Sequence, residues 1–506
     1  MTSDSDASPR AAGSPRIIPR AEHPISRRQI SPNALRVLYR LREGGHQAFL
    51  VGGCLRDLML GVVPKDFDVA TSARPEEVKR LFRNCRLIGR RFRLAHVFFG
   101  HEIIEVATFR AASAPLPGEE TEDDPDILLE VGASEDNPET EAEEDAAREL
   151  DASRDEDEDE DEEDSPAEGR VDAPRGDRLL DEGGRILRDN TYGTIEEDVW
   201  RRDFACNALY YNIDDFSLWD YVGAVEDIQA RRLRLIGDPG QRYREDPVRM
   251  LRAARFEAKL GFTLDADTEA PVAQLRDLLT EVPAARLFDE TLKLFLTGHG
   301  VRSLEVLRRR GLLGVLYPVV ERALAENPGS DVEKLLVAGL ANTDERVQAG
   351  KSVTPTFLFT LLLYGPIAAY IGRQPREKWS DVGTILDGCD VALRETQKRV
   401  TIPKRFSLGV RDMFALQPQL EQPRSRRVLR LIEQPRFRAA FDLLLLRAQV
   451  GMASQQLVDW WAALQAADPE TRMQMVLALE ASRGNRGESE GEGGEPRPRR
   501  RRRRRR

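Results

Sequence analysis

Asp66 and Asp68, two carboxylates set two positions apart, are the side chains of this sequence best suited to chemistry. On a strand, residues i and i+2 point to one face, so the pair stands side by side. Two such carboxylates repel unless a cation lies between them, and oxygen donors next to phosphate oxygens suit Mg2+. A third carboxylate would complete a two-metal site that activates a hydroxyl and stabilises a leaving phosphate group. Just upstream lies Gly52-Gly53-Cys54-Leu55-Arg56-Asp57, directly after the apolar run Ala48 to Val51. Paired glycines let backbone N–H groups approach a phosphate closely, and Arg56 on the next turn can neutralise it. Each half alone is a common turn or a chance Asp-x-Asp. In this order they make a mechanically complete unit.

Further along, Arg201-Arg202-Asp203-Phe204 offers Arg202 for a ribose or phosphate contact. Asp203 could orient a ribose hydroxyl or act as the third acid, although an ordinary surface ion cluster would look the same and be worth little. Glu105, in Ile104-Glu105-Val106, competes as the third metal ligand because its strand should neighbour that of Asp66 and Asp68. Asp246-Pro247 reads as a helix start, with Asp as cap and Pro in the first turn. Arg249 and Arg252 follow three and six residues after Asp246, on neighbouring faces of that helix. Arg90, Arg91 and Arg93 gather positive charge near the catalytic face, where a plain solvated turn is the alternative.

The elements that must position these residues are legible in outline. A helix is expected over Pro32 to Arg42, with Ala34, Leu35, Leu38 and Leu41 on its apolar face and Gly44-Gly45 at its end. Strands are expected at Ala48 to Val51, Phe67 to Ala70, Val97 to Phe99 and Ile103 to Ala107, with a helix from Pro75 to Phe82. The unit resumes at Tyr192 and closes with strands at Ala208 to Asn212 and Leu233 to Ile236; from Glu245 onward the period is helical.

Composition bounds the rest. A chain of 506 residues requires more than one folded unit. Its net charge of −11 is misleading, because Glu119 to Asp164 holds 26 acidic residues against two arginines; taking away that −24 leaves +13. Such a balance suits a handler of polyanions. The acidic stretch has too little apolar content to fold and reads as a solvated insertion, or else as a competitor for a basic groove. The sequence ends in eight consecutive arginines, Arg499 to Arg506, able to add salt-sensitive affinity for nucleic acid or to fold back on the insertion. Four scattered cysteines without a CxxC pair point to neither disulfides nor zinc and fit a reducing cytoplasm. No secretory leader is recognised. The apolar stretch Pro355 to Ile371, broken by Tyr364-Gly365-Pro366, is expected to be a buried helix ending at Gly-Pro rather than a membrane span.

Gly52-Gly53 through Arg56-Asp57, Asp66-Phe67-Asp68, Arg201-Arg202-Asp203-Phe204 with Asn207, and Glu245-Asp246-Pro247-Val248-Arg249-Met250-Leu251-Arg252 together resemble the class II nucleotidyltransferases. That group holds bacterial poly(A) polymerases and tRNA CCA-adding enzymes. The resemblance runs from about Phe49 to Gly261, the insertion excepted, and departs at Ala205-Cys206, where Thr-Ile is common. Cys206 reads as a small core residue rather than a nucleophile.

The resemblance implies an α+β protein: an α/β nucleotidyltransferase head at 27–236 interrupted by an acidic disordered insertion at 111–184, then an all-α neck and body. The neck falls at 237–300 and an RNA-binding body at 301–482, with disordered ends at 1–26 and 483–506. It implies Asp66, Asp68 and Asp203 as catalytic acids, with Gly52, Gly53, Arg56, Arg202, Asn207, Asp246, Arg249 and Arg252 binding the nucleotide. Asp246 accepting from an exocyclic amine beside an arginine that donates to a ring nitrogen would read a base edge without a template. That set selects A and C over G and U but cannot separate A from C. Leu87-Ile88-Gly89-Arg90-Arg91-Phe92-Arg93-Leu94-Ala95-His96-Val97, Ile195-Glu196-Glu197-Asp198 and Gln241-Arg242-Tyr243-Arg244-Glu245-Asp246 are similar to the poly(A) polymerase branch. The implied activity is template-independent addition of adenylate from ATP to RNA 3′ ends in the cytoplasm, in support of RNA turnover, with Mg2+ as cofactor. RNA and ATP are the expected partners, RNA-decay factors further candidates, and a membrane is not expected. CCA addition to tRNA is the alternative enzyme, and a non-catalytic RNA-binding regulator the alternative of another class.

Overall fold

The computed structural model describes residues 14–89, 93–111, 178–180, 186–189, 192–424 and 427–489. Arg90, Arg91, the acidic run at 119–164 and the arginine run at 499–506 lie outside them.

The head is built on an eight-stranded sheet. Its strands are β1 (Arg16–Ile18), β2 (Ala48–Val51), β3 (Asp68–Thr71), β4 (Cys85–Ile88), β5 (Leu94–Phe99), β6 (Glu102–Thr108), β9 (Leu209–Asn212) and β10 (Leu218–Asp220). The order is β1-β10-β9-β2-β3-β6-β5-β4. Only β3 and β6 pair in parallel, Val69 against Val106 and Thr71 against Thr108. The excursion from β3 to β6 passes through a helix and two strands, the length a parallel return requires. The expected helices appear as α1 (Pro32–Glu43) and α3 (Pro75–Leu81), with α2 (Gly53–Met59) between them. Helix α1 starts on Pro32 with the Ser31 hydroxyl accepting from Asn33 and Ala34 N–H, and buries Ala34, Val37, Leu38 and Leu41.

Several expectations need correction. Residues 14–26 are ordered rather than disordered: β1 covers the open edge of β10, and Ile18 and Ile25 are buried. Three apolar residues among arginines and prolines are too sparse to show a period, so only tertiary pairing reveals them. Strands β4 and β10 were not expected. In the stretch read as insertion, β7 (Arg178–Leu180) pairs antiparallel with β8 (Ile186–Asp189), which lies just beyond its expected end at 184. The Leu233 segment does not close the main sheet; β11 (Arg232–Leu233) pairs in parallel with β12 (Thr263–Leu264) in a sheet of its own. Gly261, left-handed at φ 64°, ends the preceding helix and turns the chain toward that pairing.

After β10 come α4 (Ala224–Gln229), α5 (Pro239–Glu245), α6 (Val248–Leu260) and α7 (Ala284–Phe295). The chain forms two compact units. One runs to Leu294 and takes in Arg302–Leu316, so the expected neck belongs with the head. The other contains Phe295–Val301 and the chain from Tyr317 onward. In this second unit, the helix Pro355–Gly372 does not stop at Gly365-Pro366 but continues through it. A methyl at Gly365 would meet Val332 at 3.0 Å and Ala323 at 3.2 Å, so the glycine admits close packing that outweighs the hydrogen bond lost at proline. Among the described residues this is the one helix long and apolar enough to cross a membrane, and 67% of it is buried inside the unit.

Candidate active site

Strand register assembles the acidic residues. Val51 stands opposite Asp68, which opens β3, and Phe67 is buried between Asp66 and Asp68. Because Val69 and Val106 are partners, Asp68 and Glu105, each one residue earlier, share the other face of the sheet. His96 lies across from Glu105 on β5, buried, with Nε2 3.7 Å from its carboxylate. Asp66 is exposed and Asp68 half-buried at this end of the strand. All three donors are hard carboxylate oxygens, the chemistry a divalent cation needs beside phosphates. The expected three-carboxylate cage is not assembled, however: among the described residues no three His, Cys, Asp or Glu side chains converge closely enough to hold a metal. The parallel register of β3 and β6 sets Asp68 and Glu105 at neighbouring positions on one face of the sheet.

Gly52 has φ 82° and ψ −146°, a region essentially restricted to glycine, and a methyl there would lie 3.4 Å from Asp68 Oδ2. The phosphate turn therefore abuts the carboxylate strand. A Gly52→Ala variant is expected to lose about 1–3 kcal/mol of stability, read by urea denaturation, and to raise the KM for nucleotide. Arg56 is buried, and its guanidinium donates to Asp57 Oδ1 at 2.7 and 2.9 Å and to Asn207 Oδ1 at 2.6 Å. It ties α2 to the segment that follows Asp203, so Arg56 and Asn207 meet as a pair that fixes the turn. Cys206 is fully buried, and burial raises its thiol to about 12, consistent with a core residue.

Asp203 sits in a cage of arginines. Arg249 Nε donates to its Oδ1 at 2.8 Å, Arg252 Nε lies 2.9 Å from Oδ2, and Arg242 Nη2 is 3.7 Å away. Burial opposes the Asp203 charge, but Arg252, Arg249 and Arg242 together hold its carboxyl below the usual range. Arg249 also donates through Nη1 to the Arg242 carbonyl and to Glu245. Asp246 is buried and accepts a bidentate pair from Arg286 at 3.0 and 2.8 Å, and its Oδ1 also accepts from Val248 N–H; the N-cap of α6 is Pro247 rather than the expected Asp246. The structure brings Asp203, Asp246, Arg249 and Arg252 together around the start of α6.

Arg202 is anchored by a second network. The helix Ile195–Arg201 buries Ile195 and Val199 against Phe49 and Tyr210 in the sheet core, which delivers Asp198 and Arg202 to the Tyr210 hydroxyl. That hydroxyl donates to Asp198 at 2.7 Å and accepts from Arg202 Nε at 2.8 Å, with the guanidinium 5.1 Å above the ring. Burial, reinforced by Asp198, pushes the phenol above its ordinary value. Arg202 also pairs directly with Asp198 at 3.2 Å, so Tyr210→Phe removes one hydrogen-bond partner from each and is expected to cost about 1 kcal/mol by thermal melting. Arg93 pairs with Glu76 at 2.8 Å, while its neighbours Arg90 and Arg91 lie outside the described residues.

Sequence reasoning missed Arg286, forty residues from its partner and without any motif, and Tyr210.

Residues 48–234 match the family described as "Poly A polymerase head domain", 261–324 match "Probable RNA and SrmB- binding site of polymerase A", and 380–506 match "Polymerase A arginine-rich C-terminus". Poly(A) polymerase I of Salmonella typhi is 42% identical over 469 residues, 92% of this chain and 89% of that protein. The CCA-adding enzyme of Bacillus subtilis is 32% identical over 270 residues, 53% of this chain and 51% of that protein. A solved tRNA-processing enzyme in its apo form I shares the fold, with a TM-score of 0.50 and 20% identity over 89% of this chain and 98% of that one. The chain belongs to the poly(A) polymerase family of nucleotidyltransferases.

Proposed function

We propose that this enzyme adds adenylate from ATP to RNA 3′ ends without a template, in the cytoplasm and in support of RNA turnover, with RNA-decay factors as partners. The observation that carries the reading is the juxtaposition of Asp68 and Glu105 beside the Gly52 turn, in a chain related along nearly its whole length to poly(A) polymerase I. Asp66, Asp68 and Glu105 would hold divalent cations, Mg2+ being the choice for carboxylate donors beside a triphosphate. When bound, the metal supplies the charge that activates the 3′-hydroxyl and stabilises the departing pyrophosphate.

The remaining work falls to the protein. The Gly52-Gly53 turn, fixed by Arg56 and Asn207, presents backbone N–H groups to the phosphates. Arg202, held by Asp198 and Tyr210, faces the ribose and phosphate side. Asp246 keeps a lone pair for an exocyclic amine, and Arg249, whose Nε and Nη1 are committed, offers Nη2 to the ring nitrogen. Asp203 acts through these arginines by orienting Arg249 and Arg252, and Glu105 rather than Asp203 serves as the third acid. Arg90, Arg91 and Arg93 guide the RNA end, and the helices beyond the head bind the upstream RNA.

The test is incorporation of α-labelled ATP into an RNA oligonucleotide. Incorporation should vanish with EDTA and return with Mg2+. Label transfer that persists in EDTA, or no transfer under any metal, would overturn the reading.

A further inference from the structure

We infer that the turn from Arg373 to Trp379 is a stacking platform for single-stranded RNA: the Trp379 indole takes an unpaired base, and Arg373, Arg376 and Lys378 take the adjoining phosphates. The inference rests on the RNA-extending reading above and deepens it. Residues 373–379 fall between the matched segments 261–324 and 380–506, and that reading gives them no role.

The turn joins the helix Pro355–Gly372 to the helix Val382–Gln397 and reads Arg373-Gln374-Pro375-Arg376-Glu377-Lys378-Trp379. Core packing does not account for its tryptophan. Trp379 is 44% exposed, whereas Trp461 of the same unit is fully buried in an apolar cluster. Yet the exposed ring is held in place. Its Nε1–H donates to the Gln374 carbonyl at 2.9 Å, and its backbone N–H donates to the Arg376 carbonyl at 3.2 Å. The Arg376 guanidinium lies over the ring, 5.7 Å from its centroid. An indole fixed in this way has little rotamer freedom left to lose when a ligand stacks on it.

Charge selects the ligand. Three cations share the turn with one carboxylate, Glu377, and all four side chains are exposed. Among the described residues no ion pair neutralises Arg373, Arg376 or Lys378. The next acid, Asp381, is committed to the helix that follows, where it accepts from the Thr384 N–H at 2.9 Å and the Thr384 hydroxyl at 3.0 Å. An exposed aromatic ring among uncompensated cations suits a single strand, because every base offers a π-face and the cations track the backbone. An acidic protein segment would use the cations alone; a base and its phosphates use the indole as well.

The experiment titrates the full chain with a labelled oligoadenylate, followed by anisotropy, and with the unlabelled oligomer, followed by quenching of tryptophan fluorescence. Trp379→Ala should weaken binding about tenfold. Trp379→Phe should keep most of the affinity and lose the share of quenching that the indole supplies. Replacing Arg373, Arg376 and Lys378 together by Gln should flatten the slope of log affinity against log salt by about two. In adenylate addition, the effect of Trp379→Ala should appear in the KM for RNA and not in that for ATP. Wild-type affinity in Trp379→Ala would overturn the platform and leave the turn to a protein partner. Equal losses in the Ala and Phe variants would overturn it too, since stacking survives in phenylalanine. A chain whose RNA binding depends on Trp379 but which transfers no adenylate would sink the functional reading and leave the platform standing.

Discussion

Replacing Asp68 by alanine is expected to lower adenylate addition about a thousandfold or more while the chain remains folded. Metal-borne charge stabilisation in the transition state is worth several kcal/mol, and each 1.4 kcal/mol or so is a factor of about ten in rate. Asp68 is the first residue of β3, half-buried, with Val51 as its partner on β2, so its side chain stands at the rim of the sheet rather than in the core. Glu105→Gln should behave in the same way, with activity collapsing and folding intact. Rate assays on the two variants, paired with thermal melts, check this directly. A variant that keeps near wild-type turnover would remove that residue from the catalytic set.

Asp203→Ala should show the opposite signature, with stability falling first. The carboxylate is 14% exposed and serves three guanidinium groups, so its removal leaves Arg242, Arg249 and Arg252 crowded and uncompensated. Breaking a buried ion pair from one side costs about 3–5 kcal/mol, readable by urea denaturation. Activity would fall as well, because Arg249 and Arg252 lose the group that aims them. The pH dependence follows from the lowered carboxyl. Asp203 contributes its full stability above the unfolded value of about 3.9 and loses it as pH falls through the lower folded value. The variant should therefore show a flatter loss of stability on acidification than the wild type. If Asp203→Ala instead abolished catalysis with no change in stability, Asp203 rather than Glu105 would be the third acid.

These contrasting expectations mark where the sequence was legible. The strand at Ala48–Val51, the turn at Gly52-Gly53 and the carboxylates after it were readable because each is a local signal, set by glycine freedom and a period of two. What places Glu105 beside the Asp68 strand, the parallel pairing of β3 with β6, joins residues far apart in sequence and is not a local signal. The arginine cage was hidden for the same reason. Asp203 and Arg249 lie far apart in sequence, and nothing local says that a guanidinium will point at a given carboxylate. Arg286 is the extreme case, an unremarked arginine in the first turn of α7 that holds Asp246. Where expectation failed outright, tertiary packing had overridden a local rule. Gly365-Pro366 reads as a helix end, yet close helix packing carries the helix past it. Arg16–Ile18 reads as part of a disordered arm, yet an open strand edge captures it.

Sequencing the RNA 3′ ends made by the purified full chain offers the most direct test. An unrelated RNA and a tRNA lacking its CCA end would be supplied together, with all four nucleoside triphosphates at equal concentration. The expected result is long runs of adenylate on both RNAs, with cytidylate rare. Short CCA ends confined to the tRNA would contradict it.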